Sequence, residues 1–160
     1  MNLRALCQSR RGKIQSAIIS ARRACQPRPR NREHAKFLID LLLEGGYLRE
    51  AQQWLHPLDE AIQHDRELML IAVRLNLLLH RIETADHWAA TLVNFGTPAY
   101  MIVRLAAAYE MSRQFEGAAR YYQRALAEAF YPDACLGLAR LEVENNNLAA
   151  ACLLYTSRCV

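Results

Sequence analysis

The sequence predicts an all-α fold, a single array of stacked helical hairpins with about nine helices in all. Three observations carry that expectation. Between Pro98 and Pro132 two amphipathic helices stand back to back. Ile102, Leu105, Ala106 and Tyr109 fall at the i, i+3, i+4, i+7 spacing of one helical stripe, and Phe115, Ala118, Tyr121, Tyr122 and Ala125 form another. The pattern also recurs: Phe115 returns as Ile82 and Leu48 upstream and Leu148 downstream, and Ala118 as Ala85, Ala51 and Ala151, at steps of 33 or 34 residues. Finally, a chain of 160 residues that is 52% apolar and 22% charged is long enough to bury a core, while no apolar run approaches the roughly 18 residues of a membrane span.

Taken in order, residues 1–30 read as a partial repeat and a linker. Ile14 and Ala17 lie one further step back, with Gly12 expected in the turn before them, and the run from Gln26 to Pro29 (QPRP) is stiff. The repeat 31–64 opens with a helix carrying Leu38 and Leu41. Gly45 and Gly46 then supply the positive φ that ends it. Its second helix carries Leu48, Ala51 and Trp54, and Pro57, which lacks a donor and clashes with the preceding turn, predicts a kink or an early stop near His56. The repeat 65–97 carries Ala72 and Leu75, then Ile82, Ala85 and Trp88, and its Asn76 needs a hydrogen-bond partner. Trp54 and Trp88 share a position with Tyr121 and are expected to fill the space between hairpins. In 98–131 the polar Ser112, Arg113 and Gln114 leave room only for an antiparallel turn. Residues 132–160 begin another repeat with Pro132 in a first helical turn, Leu138 and Leu141 on the stripe, and Asn145, Asn146 and Asn147 at the helix end.

The large apolar residue, the Leu and small residue, the Tyr, and the Ala, aromatic and Ala of a second helix are occupied by Ile102, Leu105, Ala106, Tyr109, Ala118, Tyr122 and Ala125. This pattern resembles the tetratricopeptide repeat. The resemblance implies a right-handed α-solenoid and a general role in binding other proteins. It is uneven: Ile39 and Leu42, then Val73 and Asn76, stand where the small residue and the Tyr belong. The ends depart further. Residues 152–157 read CLLYTS, which resembles the translation of a sequencing adapter, so 152–160 are expected to be an artefactual tail and both terminal repeats to be cut. Cut repeats imply exposed stacking faces and self-association.

The formal charge of +4 conceals an asymmetry. Of 20 Lys and Arg residues, 10 lie in residues 1–36, where Glu33 is the sole acid. Such an end also fits a mitochondrial presequence or a basic arm for nucleic acid, but the repeat register accounts for it as a helix and weighs against nucleic acid. The five cysteines are odd in number and scattered, which argues against a disulfide framework or zinc site and for a reducing compartment, the cytoplasm being favoured. His34, His56, His64, His80 and His87 form no metal-binding spacing, and no phosphate loop or activated nucleophile is present. The reading is therefore a non-catalytic chain without cofactor or metal.

In a stacked array the first helices line the concave face. Opposite the core stripe they carry Glu33, Lys36 and Asp40; Glu67, Leu70 and Arg74; Tyr100, Val103 and Ala107; and Asp133, Leu136 and Arg140. Lys36, Arg74, Arg104 and Arg140 form a candidate basic ladder flanked by Leu70, Tyr100, Val103 and Leu136, suited to an acidic protein or peptide partner. The carboxylate clamp of some tetratricopeptide proteins is matched only at Lys36, because Asp40 stands where an Asn is expected. The competing functions are helical-repeat RNA binding and service as the regulatory arm of a larger enzyme.

Overall fold

The computed structural model describes residues 3–25, 32–148, 150 and 152, and among these all regular structure is helical. The order is α1 (Leu3–Cys25), α2 (Arg32–Glu44), α3 (Leu48–Leu55), a 3₁₀ turn (His56–Leu58), α4 (Asp59–Ile62), α5 (Arg66–Leu78), α6 (Ile82–Asn94), α7 (Ala99–Met111), α8 (Phe115–Glu128) and α9 (Pro132–Glu144). Leu148, Ala150 and Cys152 are helical again. The chain divides into two compact units, Met1–Arg81 and Ile82–Val160. Most of the expected tail 152–160 lies outside the described residues.

Four helix ends are built alike. After α2 the amide of Tyr47 donates to the Leu42 carbonyl at 2.8 Å and that of Gly46 to Leu43 at 3.2 Å. The same two bonds recur as Arg81 to Asn76 and His80 to Leu77, as Gln114 to Tyr109 and Arg113 to Glu110, and as Asn147 to Glu142 and Asn146 to Val143. This closure needs one residue in the left-handed region. That residue is Gly46 (φ 77°), then His80 (57°), Arg113 (59°) and Asn146 (58°), so the period seen in the side chains is repeated in the backbone. Only the first is a glycine, and the other three bear the steric cost of a Cβ in that conformation.

In the first unit α1 packs on α2, α2 on α3 and α5, and α4 on α5. Ile18, Ala21 and Cys25 of α1 and Ala35, Leu38, Ile39, Leu42 and Leu43 of α2 are buried. Burial raises the pKa of the Cys25 thiol above its ordinary value. Gly12, expected in a turn, lies inside α1, which runs through it without a break. The exposed positions of α1 from residue 12 onward are Gly12, Lys13, Gln15, Ser16, Ile19, Ser20 and Arg23, polar except for Gly12 and Ile19. Arg22 reaches from α1 to Glu50 of α3 with two hydrogen bonds, 2.8 and 2.5 Å. Pro57 acts as expected: α3 stops at Leu55, a 3₁₀ turn carries the proline, and a single further turn of α4 follows. Asp65 caps α5 by accepting from the amides of Glu67 (2.9 Å) and Leu68 (3.3 Å). Asn76 finds its partner one turn back, donating to the Ala72 carbonyl at 2.8 Å.

In the second unit Ala85, Ala89 and Leu92 of α6 are buried, as are Ile102, Leu105, Ala106 and Tyr109 of α7 and Ala118, Tyr121, Tyr122 and Ala125 of α8. Full burial of a side chain of this size contributes about 1.5–3 kcal/mol. The two large tyrosines do so without stranding their hydroxyls. Tyr109 donates to Asp86 of α6 at 2.5 Å and Tyr122 to Glu110 of α7 at 2.6 Å. Trp54 and Trp88 behave differently from Tyr121, which shares their repeat position. Both tryptophans are partly exposed, and Trp88 makes its ring contact edge-on with His87, 5.5 Å between centroids.

Candidate functional site

The ladder residues sit on the expected helices, but Lys36, Arg74 and Arg140 are committed to carboxylates. In the first unit Lys36 of α2 contacts Glu33 one turn back at 2.7 Å and Asp65, the cap of α5, at 3.1 Å. Burial works to lower the Lys36 pKa, but the hydrogen bonds to Glu33 and Asp65 outweigh it and the ammonium is held above its ordinary value. Arg74 of α5 pairs with Asp40 of α2. Asp40 is thus the acid that neutralises the cation one repeat further on. Leu70 is 1% exposed and lines no surface, since α5 is buried on nearly every side from Leu68 to Val73.

In the second unit Arg140 of α9 grips Glu110 of α7 through two bonds, Nε to Oε1 at 2.7 Å and Nη2 to Oε2 at 3.0 Å. The Tyr122 hydroxyl donates to the same carboxylate, so Glu110 ties α7, α8 and α9 together. The Arg140 bond, aided by Tyr122 and opposed by burial, holds Glu110 below its usual range. Arg104 and Tyr100 are exposed on α7. Tyr100 is half exposed.

What the sequence reading missed lies beside Arg140. A groove of about 1050 Å³ opens where α7 and α9 run together. Its floor and walls are Ala107 and Met111 of α7, Phe115 at the start of α8, Leu136, Ala139 and Val143 of α9, and then Leu148 and Cys152. Met111 is 83% exposed, Leu148 64%, Val143 50% and Leu136 38%, an apolar cluster open to water. Arg113 and Glu144 border it, together with the Glu110–Arg140 pair. The signal was in the repeat itself. Val103, Ala107 and Met111 of α7 occupy the positions that hold Lys36, Asp40 and Glu44 in α2, and Leu136 of α9 again that of Lys36, so the first-helix surface turns apolar at α7 while α9 keeps Arg140 and Glu144.

Among the described residues no group of three or more His, Cys, Asp or Glu side chains is placed to hold a metal ion, and no helix is long and apolar enough to cross a membrane. Comparison with protein-family models, with curated proteins and with solved structures finds no match.

Proposed function

We propose that the chain is a non-catalytic protein-interaction scaffold, its hairpins stacked as a right-handed α-solenoid of the tetratricopeptide kind, that holds a segment of a partner protein in the α7–α9 groove. The observation that carries this reading is the open apolar cluster of Met111, Leu136, Val143 and Leu148, which stands apart from the buried stripes of Ile102, Leu105 and Tyr109 in α7 and of Ala134, Leu138 and Leu141 in α9. Water-exposed apolar side chains gathered in one concavity are a feature of binding surfaces. The committed cations change the nature of the partner. With Lys36, Arg74 and Arg140 already neutralised by Asp65, Asp40 and Glu110, apolar contact and not a bare positive stripe drives recognition.

The test is a selection of displayed peptides on the whole chain, counter-selected on Met111→Glu/Val143→Glu, alongside titration with a single-stranded RNA homopolymer. Both substituted side chains are at least half exposed, so the variant retains the fold. The expected result is groove-dependent peptide binding with little salt dependence. RNA binding that falls steeply with salt and ignores the double variant would overturn the reading in favour of a basic nucleic-acid surface.

A further inference from the structure

We infer that the partner segment held in the α7–α9 groove is an amphipathic α-helix and not an extended strand; the inference rests on the groove reading above. The first argument is an inventory of hydrogen bonds. No Ser, Thr, Asn or Gln lines the groove among the described residues, and two of its four charged side chains, Glu110 and Arg140, are spent on each other. The walls are helices, whose own backbone groups are bonded along the helix axis. An extended segment carries one free donor and one free acceptor per residue into a place that can pair almost none of them. A helix arrives with its backbone already satisfied.

Dimensions agree. A helix about 10 Å across and 5.4 Å per turn fills roughly 420 Å³ per turn, so about 1050 Å³ accepts two to three turns. That length places apolar residues at i, i+3 or i+4, and i+7 on one stripe against Met111, Leu136 and Val143. The rim supplies orientation. Arg113, just past α7, and Glu144, at the end of α9, are exposed and engage in no ion pair among the described residues. An incoming helix with an acid on one flank of its stripe and a base on the other complements both. The partner is therefore a mixed-charge amphipathic helix.

The experiment takes peptides of about 16 residues, roughly four turns, selected on the whole chain against the Met111→Glu/Val143→Glu counter-screen. The expected sequences carry the apolar stripe, gain helical circular dichroism on binding, and lose at least tenfold in affinity when one Pro is placed mid-stripe. Arg113→Glu should weaken peptides bearing a flanking acid, and exchanging that acid for Lys should restore them. Selected peptides that tolerate the Pro and gain no helical signal overturn the inference while leaving the groove reading intact. Absence of any groove-dependent sequence overturns both. A dimer seen by sedimentation, dissolved by the double variant and blocking peptide, makes a second copy the occupant and overturns the inference as well.

Discussion

The ring of Tyr122 on α8 lies against Gly137 of α9 so closely that a Cβ on the glycine would stand 2.3 Å from Cζ and 2.5 Å from Cε2. The hydroxyl of the same ring is held by Glu110 at 2.6 Å, so the ring has no free direction in which to retreat. Gly117 of α8 receives Tyr109 in the same manner, its Cβ position 2.5 Å from Cδ1. Each tyrosine therefore uses a missing side chain on the next helix as its seat.

Gly137→Ala should accordingly destabilise the protein. Ala gains about 1 kcal/mol of helix propensity over Gly, but overpacking a fixed ring costs about 1–3 kcal/mol, leaving a net loss of up to about 2 kcal/mol. Gly12→Ala is the control: nothing lies within 4 Å of its Cβ position and it is exposed within α1, so the propensity term acts alone and stability should rise. Urea unfolding of both variants checks the opposite signs.

His80 occupies with φ 57° a turn position that Gly46 fills without strain. Replacing His80 by Gly should stabilise by about 0.5–1 kcal/mol, since the relief of the left-handed conformation exceeds the entropy that glycine adds to the unfolded chain. His80→Val should destabilise by more, because a β-branched residue tolerates that conformation worst. Thermal unfolding of the two variants, compared with the parent, reads both effects.

Glu110 gives the protein an acid limb. Its folded pKa lies below the ordinary 4.5, so its contribution is present above about 4.5 and is lost as pH falls through the lower folded value. Glu110→Gln should flatten that part of the stability profile. At neutral pH it should cost about 1–2 kcal/mol, the loss of a charged acceptor discounted for the exposure of Arg140. Tyr122 acts at the other extreme. Burial and Glu110 raise its pKa above the ordinary 10, so stability should fall as pH rises beyond 10, and Tyr122→Phe should lessen the fall. Urea midpoints measured across pH give both limbs.

The Arg74–Asp40 pair bridges α5 and α2 with side chains 25% and 32% exposed. Arg74→Glu sets two carboxylates face to face and should cost about 1–2 kcal/mol. The exchange Asp40→Arg/Arg74→Asp should recover more than half of that loss, since it restores attraction without adding burial. A double-mutant cycle by chemical denaturation measures the coupling.

Much of the fold was legible in the side-chain period, because helix burial demands a stripe and the stripes of Leu105, Tyr109, Ala118 and Tyr122 are buried as their spacing requires. Pro57 and Asn76 were legible for covalent reasons: one lacks a donor, the other cannot be left without a partner. The tryptophans were not, because shared position fixes the direction of a side chain but not how much covers it; Trp54 and Trp88 remain partly exposed where Tyr121 is 8% exposed. The ladder illustrates the same limit. Arg74 and Asp40 stand 34 residues apart, one repeat, so opposite charges at one repeat position signalled a pair across neighbouring helices. Read one helix at a time, the same residues suggested a free cation.

The Arg74–Asp40 pair also fixes which helix can stand where. The position held by Asp40 and Arg74 passes to Ala107 and Arg140 in the later first helices, while the carboxylate that meets Arg140 comes from Glu110, at another position. Within the first unit α2 and α5 are therefore not interchangeable: a copy of α5 in the place of α2 would set arginine beside arginine. A copied helix fits there only when one of the two charges is changed with it, so the order of the two helices is written in the sign of one side chain each.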